Sequence, residues 1–143
     1  MILALKAIYR DKSIKYQVSV SDVDFLIDRQ DCLELIGNLL DNASKWAKQQ
    51  VRLEIEQEVN GFFLRVEDDG PGCSDAEIKI LSQPGMWLNE KNAGHGLGMS
   101  LMHNIAKLYG GTIHFGRSSL LGGLSVSVHL RSRTVDPITR KII

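Results

Sequence analysis

The sequence predicts an α/β two-layer sandwich, a mixed and mostly antiparallel sheet covered on one face by helices. Three observations predict it. Between Arg29 and Lys48 apolar residues recur at three- and four-residue steps (Cys32, Leu35, Ile36, Leu39, Leu40, Ala43, Ala47), which places them on one face of a helix. The stretch VRLEIEQEV at 51–59 alternates apolar and polar residues strictly, the pattern of a half-buried strand. Helical and strand-like stretches then follow one another in mixed order, as a layer of helices on a sheet requires.

The remaining elements follow in order. Residues 1–12 read as a short lead-in, and IKYQVSV at 14–20 has strand composition. Ser21 to Asp24 form a turn, and FLI at 25–27 reads as a short strand before the helix. After the alternating strand, Asn60-Gly61 is a hairpin signal, with FFLRVE at 62–67 as the return strand. Asp68 to Gly72 is a turn. Ser74 caps a short helix through about Leu81, with Asp75 and Glu77 in its first turn. Residues 82–96 lack periodicity and form a long loop of the kind that carries function. Leu97, Leu101, Ile105 and Leu108 mark a second long helix, which Gly110-Gly111 ends. TIHFGRS at 112–118 and LSVSVHL at 124–130 are strands joined through Gly122-Gly123, and 131–143 is a polar tail.

A length of 143 residues fits one domain, with 1–131 expected as the functional unit, its core at about 14–131, and 132–143 as the tail. Lys plus Arg number 17 and Asp plus Glu 17, so the formal charge is zero. Nucleic acid and anionic membranes bind through excess positive charge, so neither is expected as the main partner. Cys32 and Cys73 have neither metal-site nor disulfide-framework spacing, which points to a reduced, cytoplasmic setting. The apolar runs fall far short of the ~18 residues that cross a bilayer, and no secretion leader is expected.

Three stretches carry chemistry. In NLLDNASK, Asn38, Asn42 and Lys45 are spaced four and three apart, with Glu34 and Asp41 near the same face. This polar face is expected opposite the apolar stripe. Amide oxygens can coordinate a hard divalent cation and a lysine can reach a phosphate, although a solvated polar face has the same appearance. In VEDDGPG, 66–72, a strand ends in acids and then in Gly-Pro-Gly. Such a carboxylate can accept a hydrogen bond from the exocyclic amine of adenine, although Asp, Gly and Pro also make plain turns. In GHGLGMSL, Gly94, Gly96 and Gly98 stand at alternate positions ahead of a helix, where bare N–H groups and the helix dipole suit a polyphosphate.

The order of the three is more specific than any one of them. It resembles the Bergerat-type ATP-binding fold of the GHKL superfamily, with NLLDNASKW, DDGPG and GHGLGMSL similar to the N box and the two glycine boxes of sensor histidine kinases. The wording EDDGPG and LGG at 121–123 are most similar to the PhoQ-type kinases. The resemblance implies ATP and Mg2+ as ligands, with Asn38 and Asn42 on the metal and phosphates and Lys45 on a phosphate. It implies Asp68 on the adenine amine and Gly70 and Gly72 in the adenine wall. Gly94, Gly96, Leu97 and Gly98 would form the lid hinge and phosphate cradle. It further implies a dimerisation and phosphoacceptor domain as partner, a response regulator downstream, a monomeric isolated domain, and a cytoplasmic location within a membrane-anchored kinase.

Two departures from the family pattern stand out. ILSQPGMWL lacks the aromatic-plus-Arg pattern expected before the lid, with Lys91 as the nearest substitute cation, and Met86, Trp87 and Leu88 form an apolar lid cluster. None of His95, His103, His114 and His129 lies in a phosphoacceptor-like setting; His114 and His129 read as structural. A serine kinase of the anti-sigma type and a nucleotide-binding regulatory module without transfer are the alternative readings.

Overall fold

The computed structural model of the protein describes residues 1–21, 27–59, 61–83 and 96–131, with side chains from 98 in the last stretch. Its sheet has five strands: β1 (Lys15–Val20), β2 (Gln50–Glu58), β3 (Gly61–Asp68), β4 (Thr112–Arg117) and β5 (Leu124–Arg131). Their spatial order is β1-β2-β3-β5-β4. Only the β1–β2 pair is parallel. A parallel pair needs a crossover, and the long helix α2 (Arg29–Trp46) supplies it. The β2–β3 pairing runs from Val51↔Asp68 to Glu58↔Gly61, the register of the hairpin expected from the sequence; Asn60 itself lies outside the described residues.

The period of two in the strands decides which face is covered. Val51, Leu53 and Ile55 of β2, Leu64 and Val66 of β3, and Val126, Val128 and Leu130 of β5 are all buried. They share a core with Leu35, Leu39, Leu40 and Ala43 of α2, and with Met99, Met102, Ile105 and Ala106 of α4 (Gly96–Leu108). The opposite face carries a charged ladder, with Arg52 at 3.6 Å from both Glu54 and Glu67 and Arg65 at 3.9 Å from Glu54. The two-layer sandwich is thus the observed fold, with one face of the sheet left polar.

Helix ends follow their caps. Asp28 accepts from the N–H groups of Gln30 and Asp31 and starts α2. Ser74 begins α3 (Asp75–Ser82) with a reciprocal capping box: its hydroxyl accepts from Glu77 N–H, and Glu77 reaches back to Ser74 N–H. Gly110 follows α4 with φ +63°, the left-handed residue that ends it. The N-terminal stretch differs from the expected lead-in. It holds a helix, α1 (Ile2–Ile8), and a 3-10 turn (Arg10–Lys12), and it places Leu5 in the shared core. A helix this short carries too few turns to show a period, so its one buried leucine gave no signal.

Tyr109 ties the two long helices together. Its hydroxyl donates to Asp31 Oδ2 at 2.8 Å and accepts from Asp28 N–H at 3.0 Å. Tyr109→Phe removes the donor and leaves that N–H without its acceptor, a loss of about 1 kcal/mol in a urea titration. An unchanged midpoint would show that the hydroxyl makes no net contribution to the α2–α4 junction.

Candidate functional site

Glu67 and Asp68 end β3 and Asp69 follows it, and the pleat sets Glu67 and Asp68 on opposite faces. Glu67 faces the charged ladder, where Ser118 Oγ donates to it at 3.2 Å. Asp68 faces the helices and is 2% exposed. Its Oδ1 accepts from Gly70 N–H at 2.8 Å and Leu124 N–H at 3.3 Å. Burial pushes the Asp68 carboxyl above its ordinary range, against the pull of those two N–H groups. Asp69 has a different task. It accepts from the N–H groups of Lys48 (2.7 Å) and Gln49 (3.1 Å), tying the strand end to the α2–β2 connection. Burial pushes the Asp69 carboxyl up, but backbone N–H groups from Gln50, Gln49 and Lys48 outweigh it and hold the carboxyl below its ordinary range.

Asp68 lines a cavity of about 350 Å3 together with Asn42, Trp46, Gly72, Cys73, Glu77, Leu81, Met99 and Leu124. The capping box sets the axis of α3, which contributes Glu77 and Leu81. Gly72 turns the chain at φ +71°, a conformation that side chains resist. A Cβ at Gly70 would lie 2.9 Å from Asp68 Oδ1 and closer still to the Trp46 carbonyl oxygen. The Gly-Pro-Gly turn therefore exists because the backbone must pass against Trp46 and the buried acid at once. A mostly apolar cavity with one buried, up-shifted carboxylate is suited to a flat heterocycle that offers a hydrogen-bond donor.

A second cavity of about 120 Å3 adjoins the first through Asn42 and Met99. It is lined by Asn38, Asp41, Asn42, Lys45, Gly98, Met99 and Met102. Asn38, Asn42 and Lys45 are thus brought together, but not on a solvated face opposite the apolar stripe. They flank the stripe and border the α2–α4 cleft, because α4 packs along that side of α2. Gly98 makes the approach feasible: a Cβ there would lie 3.4 Å from Asn38 Oδ1. Two amide oxygens and an ammonium group beside a helix N-terminus form a donor set that fits a divalent cation held by phosphates. Among the described residues no group of three or more His, Cys, Asp or Glu is placed to hold a metal ion. Gly96 opens α4, whereas Gly94 and the side chain of Leu97 lie outside the described residues, as do His95, Met86, Trp87, Leu88 and Lys91.

Two site residues gave little sequence signal. Trp46 follows Lys45 directly and lines the larger cavity, and the Lys45 ammonium lies 5.6 Å from its ring centre. An aromatic beside a candidate phosphate lysine was the available cue. Gly123 donates its N–H to the Asp68 carbonyl at 3.1 Å, a contact no local pattern announces. Cys73 is half-buried in the cavity wall, and burial raises its thiol above the usual range. His103 hydrogen-bonds the Leu81 carbonyl at 3.0 Å and His129 the Glu58 carboxylate at 3.1 Å. Among the described residues no helix is long and apolar enough to cross a membrane.

The chain resembles known proteins in sequence and in fold. Residues 27–134 match the family described as histidine kinase-, DNA gyrase B- and HSP90-like ATPase. The sensor protein kinase CarS of Pseudomonas aeruginosa is 46% identical over 103 residues, covering 72% of this chain and 23% of CarS. The sensor protein PhoQ of Escherichia coli O157:H7 is 31% identical over 126 residues, covering 87% of this chain and 26% of PhoQ. The chain thus spans about a quarter of the curated relatives it matches. In structure it resembles the catalytic domain of histidine kinase ThkA, with a TM-score of 0.74 at 18% identity over 92% of this chain and 90% of that one. It also resembles the mycobacterial sensor histidine kinase MprB, with a TM-score of 0.73 at 22% identity over 94% and 93%. The chain belongs to the histidine kinase-, DNA gyrase B- and HSP90-like ATPase family.

Proposed function

We infer that this domain binds ATP with Mg2+ across the two adjoining cavities and passes the γ-phosphate to a histidine on a dimerisation domain of a longer, membrane-anchored sensor kinase. A response regulator would then receive the phosphate. One observation carries the reading: a buried carboxylate at the floor of an apolar cavity opens onto a polar cleft bearing two asparagines and a lysine. Asp68 would accept the adenine amine, with Gly70 and Gly72 admitting the ring against the backbone. Asn38 and Asn42 would hold Mg2+, whose charge neutralises the phosphates, and Lys45 would hold a phosphate oxygen. The first turn of α4, with Gly96 and Gly98, would offer N–H groups to the same phosphates.

Asn38 also argues for transfer over hydrolysis. An amide cannot take a proton from water, so the residue at position 38 does not prepare water for attack. Incubating the chain with MgATP and a purified histidine-bearing helical domain tests the reading. The expected product is acid-labile phosphohistidine on the acceptor, with little free phosphate. Tight nucleotide binding with no labelled acceptor would favour a regulatory module over a kinase.

A further inference from the structure

Among the described residues the α2–α4 cleft is lined by one acid, Asp41, beside two neutral amides. A hard divalent cation prefers carboxylate oxygen, and Mg2+ keeps several of its waters when bound. A carboxylate next to Asn42 and three residues after Asn38 stands on the same side of α2 as both amides. An exposed aspartate on a helix would ordinarily sample several rotamers. Here the Tyr9 hydroxyl donates to Asp41 Oδ1 at 2.8 Å, which restrains a side chain that lines the cleft. Burial and the Asp41 hydrogen bond push the Tyr9 phenol up to about 12, so it stays a donor at any working pH.

Tyr9 reaches α2 from outside the segment that matches the family, and the chain around it is fastened down. Leu5 and Ile14 are buried in the core on either side. Lys12 Nζ donates to the carbonyl oxygens of Ser44 (3.1 Å), Lys45 and Ala47 (3.1 Å), which close the C-terminal end of α2. Those carbonyls lack helical partners and carry the negative end of the dipole, so an ammonium group suits them. Tyr16 Oη lies 2.7 Å from Ser44 Oγ. The N-terminal segment therefore grips the half of α2 that carries Asn42 and Lys45, and Tyr9 is the contact that enters the cleft's lining.

The geometry points to Asp41 as a cation-positioning residue that acts through the water shell of a divalent metal on the nucleotide, with Tyr9 holding its carboxylate in place. This rests on the cleft being a nucleotide site. It is tested by calorimetric titration of the 143-residue chain with the non-hydrolysable analogue AMPPNP, in magnesium and in EDTA. The proteins compared are the parent, Tyr9→Phe, Asp41→Asn and the double variant, with urea titrations beside them. Asp41→Asn is expected to weaken binding about fivefold in magnesium and not at all in EDTA. Tyr9→Phe should show about half of that effect on a logarithmic scale and add nothing in the Asp41→Asn background. Losses that are equal with and without magnesium, or additive in the double variant, would overturn the proposal and leave Tyr9 a structural tether. A parent that gains affinity from magnesium beside two variants identical to it would also overturn it, with the nucleotide reading intact. A parent that binds no nucleotide in either buffer would overturn both.

Discussion

Gly123→Ala is expected to unfold the nucleotide end of the domain. A Cβ on Gly123 would lie 2.7 Å from Gly70 N, and closer still to both Asp68 Oδ1 and the Asp68 carbonyl oxygen. Two of those three atoms are backbone, so no side-chain rotation relieves the clash. The same residue donates its N–H to Asp68 and accepts from Ser118 N–H at 2.7 Å, so any shift breaks the β3–β5 junction as well. Overpacking at a buried junction with loss of backbone hydrogen bonds costs about 3 kcal/mol or more. Gly116→Ala is the matched control, because a Cβ there meets nothing within 4 Å. Chemical denaturation should show a large drop for the first and a change near zero for the second. Equal midpoints for the two would remove the steric account of LGG.

Asp68→Asn is expected to separate stability from binding. The amide oxygen can still accept from Gly70 and Leu124, so the local hydrogen bonds survive. The folded state holds the Asp68 carboxyl above its ordinary range, chiefly through desolvation, so its charge costs folding energy that a neutral amide does not. The variant should therefore be at least as stable as the parent without ligand, while its nucleotide affinity falls about thirtyfold through loss of a charge-assisted hydrogen bond. Asp68→Ala, by contrast, orphans two buried N–H groups and should lose about 2 kcal/mol in addition.

The pH dependence has a defined sign. With its folded value raised, Asp68 contributes stability that is present at low pH and lost as pH rises through the raised value. Asp69, with its value lowered, contributes stability present above its ordinary value and lost as pH falls through the lowered one. Nucleotide stabilisation, which needs Asp68 ionised, should weaken as pH falls through the Asp68 value, and Asp68→Asn should lack that pH step.

What the sequence made legible was whatever is local. The apolar period of α2, the alternation in β2 and the Ser74 cap each lie within one element, and each is found where expected; the β2–β3 register is that of the expected hairpin. The candidate ligands were legible by residue type, and Asn38, Asn42, Lys45, Asp68, Gly72 and Gly98 do line or border the two cavities. What escaped was non-local. Periodicity shows which residues share a face of α2 but not that α4 covers its flank, so the Asn face is expected opposite the stripe and its neighbour across the cleft is not. Gly123 meets Asp68 only because β5 is inserted beside β3. Tyr9 and Lys12 matter only because the segment that follows α1 packs on α2, and seven residues of helix are too few to announce that. The expected strand at 25–27 falls largely outside the described residues, as does most of the lid.

The central claim is that Asp68 and the Asn38–Asn42–Lys45 cleft together form one Mg2+-dependent adenine nucleotide site. The most direct measurement is the thermal stability of the chain against increasing ATP, with and without magnesium, for the parent and for Asp68→Asn. A ligand that binds only the folded state raises the transition by about 2.7 kcal/mol at a hundredfold excess over its Kd. The account predicts a magnesium-dependent rise for the parent that Asp68→Asn loses while its ligand-free transition stays as high. No rise for the parent at millimolar nucleotide, or an equal rise in both proteins, would contradict it.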